Sequence, residues 1–103
     1  MYVEVRGDRA DVRDADNCRA LDICVGRADR PYVDQALRAA GLGSWDGGTE
    51  AELTVAGLHA AASGGQIGSD WQRRWDDMVA YAAAKGWLTA DGSGVRAHLV
   101  ELY

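Results

Sequence analysis

Two histidines, His59 and His98, are the side chains of this 103-residue chain that ordinarily titrate closest to neutral pH. A histidine acts as a general acid or base when a carboxylate orients it and a nucleophile or substrate proton lies within reach. Candidate partners are present, but nothing in their spacing brings them to either histidine: Asp70, Asp91, Glu101, Cys18 and Cys24. The sequence therefore assigns no catalytic residue, and a surface or structural role is expected for both histidines.

Three of the four tryptophans, Trp71, Trp75 and Trp87, lie within or just after one predicted helix. The chain contains no phenylalanine, so these aromatics must supply much of the core, at about 150–250 Å² of buried area each. The alternative is an aromatic wall for a ligand pocket or partner groove, with His98 or His59 at its rim. Helical spacing of apolar residues is what packing alone requires, which favours the core.

Cys18 and Cys24 are spaced five residues apart without a second pair, which matches neither a zinc site nor a redox motif. Two reduced thiols are expected. The acidic residues Asp11, Asp14 and Asp16 lack the glycine and glutamate positions of a calcium-binding EF-hand loop, so a solvated loop is predicted there. No metal site and no cofactor is predicted.

The net charge is −5, and only four basic residues against eight acidic ones follow position 40. This balance argues against binding to nucleic acid, whose affinity comes mainly from Lys and Arg on phosphates. The chain has no run of roughly 18 apolar residues for crossing a membrane, and its first residues lack the apolar core of a signal peptide. A single cytoplasmic domain over residues 1–103 is predicted.

The clearest predicted element is the helix in the segment from Gln66 to Leu88. Ser69 followed by Gln72 matches a capping box, and Gly86 with Trp87 behind it matches a Schellman stop. The apolar positions between them recur at helical spacing and form one stripe: Trp71, Trp75, Met78, Val79 and Ala82.

The remaining elements follow from shorter patterns. Residues 2–13 predict a β-hairpin that turns at Gly7 and Asp8, and residues 20–25 predict a strand. A helix is predicted with Pro31 in its first turn, followed by a glycine-rich loop, a strand over residues 50–54 and a short helix. Residues 95–102 fit either a strand or a helix, and the β-branched Val95 and Val100 after a glycine-rich turn favour the strand.

Together these elements predict an α+β fold: a small, mostly antiparallel sheet, made of the N-terminal hairpin plus further strands, packed on about three helices. Three functions are compatible with it. The first is a non-catalytic accessory or interaction domain, with a homodimer as one arrangement. The second is a small enzyme or ligand-binding protein with a tryptophan-lined pocket and a histidine at its rim. The third and weakest is a winged-helix-like nucleic-acid binder, which the acidic charge disfavours.

Overall fold

The computed structural model describes residues 1–101 and shows a mixed α+β arrangement of one sheet and three α-helices among those residues. A 3₁₀ helix, Arg27–Tyr32, leads into the first α-helix. The strands are β1 (Tyr2–Arg6), β2 (Arg9–Arg13), β3 (Asp22–Val25), β4 (Gly43–Ser44), β5 (Glu50–Thr54) and β6 (Gly94–Glu101), and the helices are α1 (Val33–Ala39), α2 (Val55–Ser63) and α3 (Trp71–Ala84).

The sheet is mixed, with strand order β2-β1-β3-β6-β5-β4. The central strands β1, β3 and β6 are parallel to one another, whereas the outer pairs are antiparallel. The prediction of a small, mostly antiparallel sheet is therefore wrong, although the α+β class is confirmed. Apolar alternation shows which face of a strand is buried but not which strand lies beside it. Here the last strand inserts between β3 and β5, far from both in sequence.

One face of the sheet packs against the helices. The buried side chains alternate along the strands, as in Val3, Val5, Ile23 and Val25, and they meet the inner sides of the helices in one core. The alternate positions, which include Glu4, Asp22, Cys24, Arg96 and His98, point to the opposite face. That outer face is mostly polar, and at the end that holds Asp22, Arg96 and His98 it borders the second half of α3.

The N-terminal hairpin has the predicted register, with Val3 opposite Val12 and Arg6 opposite Arg9, and Gly7 supplies the positive φ of the turn at 55°. The predicted glycine-rich loop contains the short strand β4. A Cβ on Gly43 would stand 2.0 Å from the carbonyl oxygen of Glu52, so this strand pairing requires glycine. Glycine content alone did not distinguish such a close approach from a loop.

The helix predicted to begin near Pro31 is preceded by a full 3₁₀ segment, and α1 begins only at Val33. Pro31 has no N–H to donate and its ring crowds the preceding turn, which disfavours a regular α-helix through this position. Helical spacing predicts a buried stripe of Val33, Ala36, Leu37 and Ala40 here. The first three are buried as predicted, whereas Ala40 is the C-cap residue and is exposed.

Helix α3 has the predicted stop but not the predicted start. Asp70 is its N-cap residue and makes no side-chain cap bond, so the capping box at Ser69 and Gln72 is wrong. Gln72 turns its side chain to His59 and Asp76 instead.

The C-terminal end of α3 is a Schellman motif, as predicted. Gly86 has φ 75°, and its N–H donates to the carbonyl of Ala83. The Trp87 N–H donates to the carbonyl of Ala82. Trp87 is thereby fixed directly behind the last turn.

The C-terminal segment is a strand over Gly94–Glu101, which confirms the preferred alternative for the described part of residues 95–102; Leu102 lies outside the described residues. Among residues 1–101, the helices are all too short or too polar to cross a bilayer.

Candidate functional site

The first half of α3 holds a packed aromatic cluster. Trp71 is 2% exposed and Trp75 4%, and their ring centroids lie 5.4 Å apart. The imidazole of His59, on α2, contacts both rings at 5.2 and 5.1 Å. The indole N–H of Trp71 donates to the carbonyl oxygen of Ala15 at 2.7 Å, and Nε2 of His59 lies 2.7 Å from Oε1 of Gln72. Among residues 1–101, no buried side-chain nitrogen or oxygen lacks a hydrogen-bond partner, as expected of core packing.

A cleft of about 850 Å³ opens beside the second half of α3. We call it the α3–β6 cleft; its walls come from α3, from the segment before β3, from the residues after α3 and from the first half of β6. The apolar side chains that line it include Leu21, Trp75, Met78, Tyr81, Trp87 and Leu88. Several of these are only partly covered by protein.

The cleft lies where β6 changes its neighbour. The Arg96 N–H donates to the carbonyl oxygen of Trp87 at 3.0 Å, and Leu88 forms a bridge with Val95. Two residues further along, His98 is already in register with Asp22 of β3. Between these two partners the sheet is incomplete on this side of β6, and α3 crosses beside the opening.

Two exposed aromatics stand at the edge of this opening. Tyr81 is 56% exposed and Trp87 44%, and their rings meet edge to face at 5.7 Å. Nζ of Lys85 lies 5.5 Å from the centre of the Tyr81 ring. Because the Schellman turn fixes the backbone of Trp87, the position of this aromatic pair at the cleft edge is defined by the fold.

The charges at the α3 end of the cleft are paired with one another. Nη2 of Arg74 lies 2.7 Å from Oδ1 of Asp16 and 3.2 Å from Oδ1 of Asp70, and Arg74 also donates to the backbone carbonyl of Asp16. The backbone N–H of Gly68 and the guanidinium of Arg74 lower the pKa of Asp16. This network ties the segment before β3 to the start of α3.

The other end of the cleft carries carboxylates. Asp22, His98 and Glu50 are in register on three adjacent strands, β3, β6 and β5. Nε2 of His98, whose side chain is 72% exposed, lies 3.7 Å from Oε2 of Glu50. Among residues 1–101, neither Asp22 nor Glu50 has an Arg or Lys within ion-pair distance.

The two thiols are not prepared for nucleophilic chemistry. Cys18 lines the cleft, and burial raises the pKa of its thiol. Burial, together with the charges of Asp22 and Glu4, also raises the pKa of Cys24 on the outer face of the sheet. A raised pKa keeps a thiol protonated, and the protonated form is neither a good nucleophile nor a metal ligand.

The structure separates the five residues predicted to line a pocket. Trp75, Trp87 and His98 line the α3–β6 cleft, whereas Trp71 and His59 belong to the packed cluster beneath it. Sequence reasoning missed Leu21, Asp22 and Tyr81 as cleft residues. The sequence contains one sign that Tyr81 is exposed, because it is a large aromatic that falls outside the apolar stripe of α3. No sequence feature marks Leu21 or Asp22 as cleft residues.

Within the described part of the chain, no three His, Cys, Asp or Glu side chains are grouped as a metal site. Comparison with protein-family models, curated proteins and solved structures gives no match for this chain.

Proposed function

We propose that this protein is a non-catalytic binding domain whose α3–β6 cleft takes a small organic molecule with an aromatic or aliphatic body. The observation that carries the proposal is the cleft itself, at about 850 Å³ with Trp75 and Trp87 among its walls. Small-molecule sites typically measure roughly 300–1,000 Å³ and are lined mainly by apolar and aromatic side chains with a few polar groups.

The uncovered apolar surface supports this function energetically. Trp87 and Tyr81 remain about half exposed, and Met78 and Leu88 are only partly buried. Removing apolar surface from water yields about 25 cal/mol per Å², so a ligand that covers these groups gains binding free energy without any change of fold. The pairing of Arg74 with Asp16 holds the facing wall in place, which reduces the ordering cost of binding.

Binding without chemistry is supported by the state of the reactive groups. The thiol of Cys18, the nucleophile nearest the cleft, has a raised pKa. His98 has a carboxylate neighbour in Glu50 at 3.7 Å, but among residues 1–101 no hydrogen bond joins it to a hydroxyl or thiol nucleophile. The proposal thus combines the non-catalytic role with the tryptophan-lined pocket, the two functions placed first and second from the sequence.

A protein-interaction role is the second candidate, and the exposed Tyr81–Trp87 pair favours it. Exposed aromatics are enriched at protein interfaces and at their energetic hot spots. The sheet edges favour it less: β2 places Arg9, Asp11 and Arg13 on one edge, and β4 on the other has two residues. Sedimentation velocity across a concentration series tests a homodimer, which requires self-association that Trp87→Ala weakens.

Nucleic-acid binding has less support from the charges. The arginines of α3 contact carboxylates, Arg73 with Asp70 and Asp77 and Arg74 with Asp16, so the helix presents no basic stripe. β6 lies in the middle of the sheet, whereas the wing of a winged helix is a hairpin at the edge of the fold. We expect no binding to duplex DNA at about 150 mM salt by fluorescence anisotropy; micromolar affinity that falls with added salt would contradict this.

The ligand-binding proposal is tested by titrating a set of small aromatic and aliphatic compounds while recording backbone amide NMR spectra. Ligands are expected to shift amides in three short stretches, residues 18–22, 78–88 and 95–98. Trp87→Ala should weaken binding, and Tyr32→Ala should not, because Tyr32 is similarly exposed at 47% but lies outside the cleft. Compounds that bind only elsewhere, or a set that produces no shifts, would refute the proposal.

A further inference from the structure

We infer that the ligand of the α3–β6 cleft carries a cationic group, such as a protonated amine, which Asp22 and Glu50 receive. The inference rests on the proposed function, since it names the chemical class of the molecule that the cleft binds. It comes from the distribution of paired and unpaired charges around the cleft and from the aromatic character of its walls.

Most of the arginines that line the cleft already form ion pairs or hydrogen bonds within the protein. Arg73 and Arg74 are ion-paired with carboxylates at the α3 end of the cleft. Arg96 donates from its guanidinium to the carbonyl oxygen of Gly86 at 2.9 Å. Arg19, at the exposed rim, and Arg96 are the two lining arginines for which no carboxylate lies within ion-pair distance among residues 1–101.

The carboxylates at the strand end are differently placed. Asp22 and Glu50 stand on the strands that flank β6, so their backbones are about 10 Å apart across two strand spacings of roughly 4.8 Å. His98 lies between them and contacts Glu50, and the N-terminal ammonium of Met1 interacts electrostatically with Asp22. An ammonium group entering from the cleft would therefore meet two carboxylates that have no arginine or lysine partner in the described chain.

The aromatic walls fit the same ligand. The half-exposed ring of Trp87 can hold an apolar body, and tryptophan is also the aromatic that attracts cations most strongly. The net charge of −5 draws cations toward the protein and repels anions over longer distances. An organic cation satisfies the apolar walls and the free carboxylates together. An organic anion could pair only with Arg19 at the exposed rim or with Arg96, whose guanidinium already donates to the carbonyl oxygen of Gly86.

Three probes that share a phenylethyl body separate these contributions: phenethylammonium, 2-phenylethanol and 3-phenylpropionate. Dissociation constants are measured by NMR titration at low salt for each. We expect phenethylammonium to bind about threefold to tenfold more tightly than 2-phenylethanol, as two partly exposed ion pairs allow, and 3-phenylpropionate to bind most weakly. Added salt should reduce the advantage of the cation.

The variant Asp22→Asn/Glu50→Gln provides the matched control. It should remove the preference for phenethylammonium and leave the affinity for 2-phenylethanol unchanged, which also shows that the cleft remains folded. Arg19→Ala should not weaken binding of phenethylammonium.

The outcomes distinguish this inference from the proposed function. If all three probes bind in the cleft with equal affinity, or if 3-phenylpropionate binds best, through Arg19 or Arg96, the inference is overturned and the binding cleft stands. If none of the three binds and no compound of the wider set shifts the cleft amides, the proposed function itself fails.

Discussion

The two halves of helix α3 use the same residue types to opposite effect. In the first half, Trp71 and Trp75 are buried beneath α2 and contact His59. In the second half and just after it, Tyr81 and Trp87 are about half exposed beside an open cleft. The difference lies in the neighbours: α2 covers one half, while the other faces the incomplete edge of β6. Aromatic spacing therefore shows which side chains share a side of a helix, but not whether protein covers that side.

The largest expected effect separates the two halves directly. Trp75→Ala should lower the free energy of unfolding by about 3–5 kcal/mol, because it empties a buried aromatic site. Trp87→Ala, the matched change in the exposed half, should cost less than about 1 kcal/mol. Urea denaturation followed by circular dichroism measures both. Equal losses would mean that the second half is as well packed as the first.

The junction between α3 and Trp87 gives the next largest effect. Gly86→Ala should cost about 1–2 kcal/mol, because a φ of 75° is unfavourable for a residue with a Cβ although the space around it is open. Gly64→Ala is the control: Gly64 has φ −80° and only ordinary contacts at its Cβ position, so alanine there should be neutral or slightly stabilising. A loss at position 64 as large as at position 86 would show that the cost is not one of backbone conformation.

A smaller, pH-dependent effect is expected at the Arg74–Asp16 ion pair, which joins the first half of α3 to the segment before β3. The pKa of Asp16 is lowered in the folded protein, so its stabilising contribution is present above its unfolded pKa, near 3.8, and is lost as the pH falls through the lower folded value. Asp16→Asn should therefore lower the melting temperature at pH 7 and reduce the loss of stability on acidification below about pH 4.

Asp8→Asn makes the same change of charge in the hairpin turn and serves as the control for Asp16→Asn. Thermal melts over a pH series measure both variants. If the Asp16→Asn variant has the same melting temperature as the native protein at every pH, the Arg74–Asp16 ion pair does not stabilise the fold.

The smallest expected effect concerns the start of α3. Ser69→Ala should change stability by less than about 0.5 kcal/mol, since Ser69 does not cap the helix. Thr54→Ala at the start of α2 should cost about 1 kcal/mol, because Oγ1 of Thr54 accepts the Gly57 N–H at 3.2 Å. If Ser69→Ala lowers stability as much as Thr54→Ala does, Ser69 caps α3 after all. The start of the helix would then depend on its cap rather than on packing.

Local patterns predicted the local structure of this chain well. The hairpin register, the strand nature of residues 94–101 and the Schellman stop at Gly86 each follow from short-range spacing and backbone preference. The start of α3 was mispredicted by one residue: Asp70 rather than Ser69 is the N-cap residue, and its carboxylate contacts Arg73 and Arg74 instead of a backbone N–H.

The long-range features were beyond such patterns. The insertion of β6 between β3 and β5 produces both the mixed sheet and the gap beside Ala97. His98 could be recognised from the sequence as a candidate, but its alignment with Asp22 and Glu50 follows only from this strand order. Helical periodicity identified Trp71, Trp75 and Trp87 as candidate pocket residues. It could not separate buried from exposed tryptophans, because burial depends on which elements pack against each of them.

The most direct test of the binding cleft uses the four tryptophan indole N–H signals of the ¹⁵N-labelled protein during titration with phenethylammonium and 2-phenylethanol. Trp75 and Trp87 line the cleft, whereas the indole N–H of Trp71 is bonded to Ala15 and that of Trp45 to Gly48. Saturable shifts at Trp75 and Trp87, with Trp45 and Trp71 unchanged, are the predicted result. Shifts at Trp45 alone, or no saturable shift at Trp87 with either compound, would contradict the assignment of the α3–β6 cleft as a binding site.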